Sequence, residues 1–383
     1  MESWIIGYHD DKGVEECMFV HLHVHSEFSL QDSTLRIFRR NEGKENPGKD
    51  PGMAEQAKAL GMTHLALTDH HALFGAFRFE QACKKHGIEP IFGVDLLVDG
   101  HPLVLLAETQ DGYTNLVKLL SYANSTGKVN GVPGVTKPVL RQYARGLIAL
   151  SGGVPGEVSQ VLLSGGADVA ASIVHGFVDI FGKDNFFLEI TYHGTPEEAA
   201  LRSLLPELSR LTGIPLVATN DVHYLLPEHN YARAVMRELS GETPPWERHT
   251  LFSDQFYLKS PEEMAELFRD LPEAVEITGE IAKRCEGVRI PRERALPEFP
   301  VPPGETIESY FEKVTWEGFY KRFPNPPQRY VDQLRYEIDT VKQMGFPDYF
   351  LIVWDFVKYA KENGIPVGPG RGSAAGALVS YSL

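Results

Sequence analysis

The chain has 383 residues, enough for two domains or for one barrel with an appendage. Its apolar share of 43% is ordinary for a globular protein, and 37 basic against 52 acidic residues leave a formal charge of -15. That balance excludes a simple module that grips nucleic acid through overall basic charge, though not an enzyme that meets DNA at a local site.

The three cysteines, Cys17, Cys83 and Cys285, form no C-x-x-C pair and no disulfide framework, which points to a reducing cytoplasm. Residues 1–17 read as an N-terminal extension without the basic and apolar regions of a signal peptide. No apolar run approaches the length of a membrane span, so no membrane partner is expected.

Residues 19–32 read FVHLHVHSEFSLQD. Alternate side chains of a strand share a face, so this strand presents two or three of His21, His23 and His25 together, with Asp32 a short loop away. Imidazoles and carboxylates are the ligands of zinc, manganese and iron. A charged, Gly- and Pro-containing insert at 39–51 reads as a loop, and 53–60 as a helix closed by Gly61.

A rhythm follows, in which an apolar run ends in polar residues and gives way to a helical pattern. The runs are 63–68, 90–98, 103–107, 147–151, 186–191 and 215–219, and the predicted helices are 75–86, 113–124, 158–163, 169–181 and 196–211. With the first strand this makes seven strands alternating with helices, an α/β pattern expected to give a parallel sheet closed into a barrel. In such barrels the chemistry sits at the C-terminal ends of the strands. There lie His23 and His25, Asp69 and His70, Asp95, His193, and Asp221 and His223. Beyond 227 the pattern is mostly helical up to a proline-rich connector at 297–304, and two further helices are predicted at 308–322 and 328–344.

The histidine strand, LALTDHHALFG, IFGVDLL and VATNDVHY together resemble the motifs of the PHP (polymerase and histidinol phosphatase) family. The version that fits stands at the N-terminus of bacterial DNA polymerase III alpha subunits, the C-family polymerases. The resemblance implies a distorted (β/α)7 PHP barrel at 18–226 and a helical segment at 227–300 joining it to a palm. The truncated start of that palm is expected at 301–383. It implies three metal positions. His23, His25, Asp95 and Asp221 fall where one ion is held, and Asp32, His70 and His223 where another is. Asp69 is expected to fix an imidazole rather than to ligate.

At the middle position the sequence departs from the family. Pro102 stands where a His is common and His101 comes one residue early, a slip that turns a side chain to the other face. Gly153 stands where a Cys is common, and Asp95 replaces the usual Glu. His193, in ITYHG, is not counted as a ligand. The implied chemistry is metal-assisted phosphoester hydrolysis, with 3′→5′ exonuclease action as the candidate, weakened or lost through the middle position.

The C-terminal stretch MGFPDYFLIVWDFVKYAKENGIPVGPGRGSAAGALVSYSL resembles the start of the same polymerase's palm. Gly370, Arg371, Gly372 and Ser373 are the implied contacts to a nucleotide phosphate, at the start of a helix that favours anions. Magnesium is expected for a complete palm, whose metal-binding aspartates would follow this loop. The chain is therefore expected to be the N-terminal part of a longer, split or truncated polymerase. DNA, dNTP, the sliding clamp and the clamp loader are the implied partners. A free-standing PHP phosphatase and a non-catalytic scaffold are the competing readings.

Overall fold

The computed structural model describes residues 19–40, 49–129, 131–239, 253–292, 296–368, 370 and 372–383. It forms two compact units that divide between Ile290 and Pro291.

The first unit is built on strands β1 (His64–Leu67), β2 (Glu89–Val98), β3 (His101–Ala107), β4 (Lys128–Val129), β5 (Val132–Val135), β6 (Leu147–Leu150), β7 (Phe186–Ile190) and β8 (Leu216–Ala218). The sheet runs β4-β5-β2-β3-β6-β7-β8, and β1 pairs parallel with residues 89–92 at the start of β2. The extended segment 19–25 closes the ring. On one side it hydrogen-bonds to the β1 region, where the Ala66 and Thr68 N–H groups donate to the His21 and Val24 carbonyls. On the other, the His25 N–H donates to the Val222 carbonyl at 2.8 Å and the Val222 N–H to the His23 carbonyl at 3.1 Å.

The expected all-parallel order is corrected at β3, which runs antiparallel to both β2 and β6. The cause is local. Asp99 and Gly100, with φ of 49° and 91°, make the two-residue turn whose twist suits a hairpin. The short β4–β5 hairpin and the helix Lys137–Tyr143 were not anticipated. The remaining barrel helices fall within a few residues of their predicted spans, for example Ala76–His86 and Pro196–Thr212. The latter starts at a capping box, in which the Glu198 N–H donates to the Thr195 hydroxyl and the Thr195 N–H to the Glu198 carboxylate.

Two layers of core follow from strand alternation. Val20, Leu22, Ala66, Ile91, Val104 and Ile148 belong to an inner cluster, while Leu65, Phe92, Leu105 and Ala149 pack outward under the helices. Ile281, Ala282 and Cys285, from and just after the helix Pro272–Arg284, join the inner cluster. That helix plugs the barrel, and the Val20 N–H donates to its Thr278 hydroxyl at 3.0 Å. Among the described residues, several from 272 to 290 share the barrel's own core and the first unit runs to Ile290, whereas a separate joining segment was expected at 227–300.

The second unit packs helices Ile307–Arg322, Gln328–Gln343, Pro347–Glu362 and Leu378–Ser382 around Phe311, Phe319, Leu334, Ile338 and Leu351. A Cβ at Gly318 would stand 2.0 Å from the Ser382 carbonyl oxygen, so glycine allows the last helix to dock. That helix has five residues and does not directly follow the glycines. Its Val379 N–H donates to Glu337 at 2.9 Å. Gly370 and Gly372 are open to solvent, whereas Arg371 and the Ser373 side chain lie outside the described residues.

Candidate metal centre

The histidine strand delivers two imidazoles to the site, not three. The chain bends at His23. Before the bend Val20 and Leu22 face the inner cluster, and after it Val24 faces the outer one, so the alternation slips by one residue. His21 is left on the far side of that slip. It packs edge-on to Phe19, and its Nε2 bonds the Lys259 carbonyl at 2.9 Å. Burial pulls its pKa down to about 4, so it is neutral.

His23 and His25 meet with their Nε2 atoms 3.0 Å apart. Asp221 Oδ1 lies 3.1 Å from His25 Nε2, 3.0 Å from His223 Nε2 and 3.5 Å from His23 Nε2. The Asp221 backbone holds a φ of 40°, a left-handed conformation rare for aspartate and of the kind strained functional sites retain. The His25 and His223 rings stack at 4.5 Å. Two overlapping sets of donor atoms lie close enough together to hold a metal ion: His23 with His25 and Asp95, and His25 with Asp221 and His223.

Asp95 Oδ2 lies 3.0 Å from His70 Nδ1, and its other oxygen is buried without a hydrogen-bond partner among the described residues. His223 Nδ1 is likewise buried and unpartnered. Its 3.3 Å approach to Asp32 Oδ2 lacks hydrogen-bond geometry. An orphaned carboxylate oxygen facing imidazoles is costly in a protein interior and is what a bound cation relieves. The donor set, three imidazoles and two carboxylates, therefore fits divalent metal ions.

Asp32 and His70 complete the cluster's third side, with His70 Nε2 3.0 Å from Asp32 Oδ2. Burial works against the charge on Asp32, but His223, Arg233 and His70 hold its carboxyl far below the usual range. Burial also works against a charged His70, yet the Asp32 and Asp95 carboxylates raise it to about 10.

Asp69 does not reach the imidazoles directly. It accepts from the Ser26 N–H and hydroxyl and from the Ser29 hydroxyl, at 2.6, 2.7 and 2.7 Å. Ser29 Oγ in turn lies 3.2 Å from His25 Nδ1, so Asp69 orients His25 through one intervening hydroxyl.

Glu189 was missed in the sequence, although a lone acid inside the buried strand FFLEI was its signal. It is fully buried on β7. Its carboxylate accepts from His23 Nδ1 at 2.7 Å, from the Thr219 hydroxyl at 2.6 Å and from the Gly152 N–H at 3.0 Å. Holding Nδ1 in this way fixes the ring and turns Nε2 toward the cluster. Burial lowers His23, but Glu189 and Asp221 more than reverse this and raise it to about 9 in the metal-free chain.

Pro102, His101 and Gly153 supply no ligand. Val104 and Leu106 of β3 are in the inner cluster, so Pro102 shares their face and His101 takes the other. His101 Nδ1 bonds instead to the Pro155 carbonyl at 3.4 Å. Gly153 adopts a φ of 59°, which a side chain rarely accepts.

His193 has both ring nitrogens in use, Nδ1 with Glu198 at 2.6 Å and Nε2 with the Asn220 carbonyl at 3.0 Å, and stacks on Phe256 at 3.7 Å. It is a structural residue. Burial opposes the charge on Glu198, but bonds from His193 and the His193 and Thr195 N–H groups lower it to about 2, against 4.5 ordinarily. A depressed carboxyl pKa stabilises the fold above about pH 4.5, and that stabilisation is lost as pH falls through about 2. At 1.36 kcal/mol per unit it amounts to about 3 kcal/mol. Glu198→Gln is expected to be destabilised by most of that amount at pH 7, with the gap to wild type shrinking steadily below pH 4.5. Urea denaturation across pH 2–7 measures it, and a gap that does not vary with pH would contradict the assignment.

The PHP domain family matches residues 21–193. The family described as bacterial DNA polymerase III alpha NTPase domain matches residues 309–383. DNA polymerase III subunit alpha of Bacillus subtilis is 38% identical over 373 residues, covering 95% of this chain and 32% of that one. The subunit of Pseudomonas aeruginosa is 39% identical over 387 residues, with the same two coverages, and that of Treponema pallidum 38% over 384. The chain is similar to bacterial DNA polymerase III alpha subunits along nearly all of its own length and spans about a third of the length of these relatives. A solved structure described as a putative metal-dependent phosphoesterase from Bifidobacterium adolescentis is 13% identical with a TM-score of 0.30, over 54% of this chain and 88% of that one, too loose an overlap to bear weight.

Proposed function

We propose that the barrel is a metal-dependent phosphoester hydrolase within the N-terminal part of a polymerase for DNA-templated DNA synthesis. The observation that carries the first half is the convergence of His23, His25 and Asp95, whose Oδ1 is buried without a partner among the described residues, and of His25, Asp221 and His223. Zinc, manganese or iron suits these donors. A bound divalent ion polarises a phosphoryl oxygen and makes hydroxide available near neutral pH.

The chain's own residues do the rest. Glu189 and the Ser29–Asp69 pair orient His23 and His25. Asp221 joins the two donor sets through contacts to three imidazoles. No thiolate competes as nucleophile among the described cysteines, since Cys83 and Cys285 are both buried and burial pushes Cys285 up to about 12. The absence of ligands from positions 101, 102 and 153 favours slow hydrolysis.

Removal of a mispaired 3′ nucleotide is the reaction that suits a polymerase. DNA and dNTP as substrates, magnesium in a palm, contacts of Gly370, Arg371, Gly372 and Ser373 to a triphosphate, clamp and clamp-loader partners, and a cytoplasmic setting all rest on the family resemblance. Among the described residues no helix is long and apolar enough to cross a membrane.

The test is release of 3′ nucleotides from a mismatched primer end by the purified chain in manganese or zinc. Slow release that stops on chelation is expected. Bound metal without release, under conditions where the chain is folded, would replace the hydrolase reading with that of a structural barrel.

A further inference from the structure

The Asp32 corner of the cluster is filled by the chain itself. Arg233 lies on the helix Asn230–Leu239, and its side chain is buried. Its Nε and Nη2 donate to Asp32 Oδ1 at 3.2 and 2.9 Å, and Nε also donates to the Asp32 carbonyl at 3.0 Å. The guanidinium sits over the Phe256 ring, 4.8 Å from its centroid, which fixes its plane. Arg237, one turn further on, reaches within 3.6 Å of the same oxygen.

The other Asp32 oxygen faces His70 Nε2 at 3.0 Å and His223 Nδ1 at 3.3 Å. His70 Nδ1 lies 3.0 Å from Asp95, so both of its nitrogens point at carboxylate oxygens. Asp95 Oδ1, on the opposite side, is the carboxylate oxygen left without a donor. The converging donor sets contain neither Asp32 nor His70.

We infer that Arg233 is a fixed cation standing where a further metal ion would otherwise be held, and that the ions bind only on the His25 side. This rests on the metal reading above. A buried carboxylate must be neutralised, by an ion from solution or by a charged side chain. A guanidinium tethered to the fold and matched to the carboxylate needs no recruitment from solution. It also repels a second cation at the same oxygen. Arg233 is thus a positioning residue that sets how many ions the cluster takes and where they sit.

The experiment is metal content per chain, by elemental analysis of the purified 383-residue protein equilibrated with manganese and freed of unbound ion. Asp32→Asn keeps an oxygen for Arg233 and is expected to hold as many ions as wild type. Arg233→Met keeps the side-chain length without the charge and is expected to gain up to one ion, a gain abolished in the double variant. A fall in metal content in Asp32→Asn overturns the inference while leaving the metal reading intact, and so does an Arg233→Met chain that folds and gains nothing. Should Arg233→Met fail to fold, the Asp32→Asn result decides alone. A wild-type chain without metal would overturn both.

Discussion

His25→Ala is expected to empty the cluster. His25 is the residue shared by both converging donor sets, and it is fully buried. Its Nε2 touches His23 and Asp221, and its ring stacks on His223. Removing it deletes a ligand from each set and leaves Asp221 without one of its three imidazole partners. Metal bound to the purified chain should fall to background, and any metal-dependent release of 3′ nucleotides should drop on the order of 10²-fold or more. His175→Ala, at an exposed position on the helix Ala167–Phe181, is the control and should change neither quantity. A folded His25→Ala chain with wild-type metal content would show that the ions, if present, are held elsewhere.

The second large effect is expected at Glu189. Glu189→Ala leaves the Thr219 hydroxyl, the Gly152 N–H and His23 Nδ1 without their acceptor in a buried part of the barrel. Stranding buried donors together with an unpaired imidazolium is of the kind that costs roughly 3–5 kcal/mol. Glu189→Gln keeps the shape and one carbonyl oxygen, so its stability loss should be smaller. Its loss of metal affinity should still be about 10–100-fold, because the His23 ring is no longer held by a carboxylate. Urea denaturation and metal titration separate the two effects. If Glu189→Ala unfolds at the wild-type urea midpoint, the carboxylate does not hold this part of the barrel together.

The residues that could hold metal were legible because ligand chemistry is local. H-x-H on an extended segment, D-H after a strand and D-x-H after another each place their side chains by backbone alternation alone. Even so, alternation would have put His21 beside His23, and a single bend in the packed strand removed it. The antiparallel β3 was also written locally, in the Asp99-Gly100 pair between two apolar runs, but the strand–helix rhythm around it outweighed that signal. Glu189 shows the same conflict, an acid on the inward face of a strand otherwise read as apolar core.

The sequence by itself therefore determined the barrel class, most of its strand–helix alternation and the pool of imidazoles and carboxylates. Tertiary structure alone decided which of them share an ion and which are already neutralised. Asp32 and Arg233 are 201 positions apart, and no periodicity, motif or propensity links them. Their pairing exists because the helix Asn230–Leu239 packs over the loop after the histidine strand, where a partly buried carboxylate finds a counter-charge. The helix Pro272–Arg284 plugs the barrel for a related reason. Its apolar face can be buried only against a cluster assembled from strands that lie far apart in the chain.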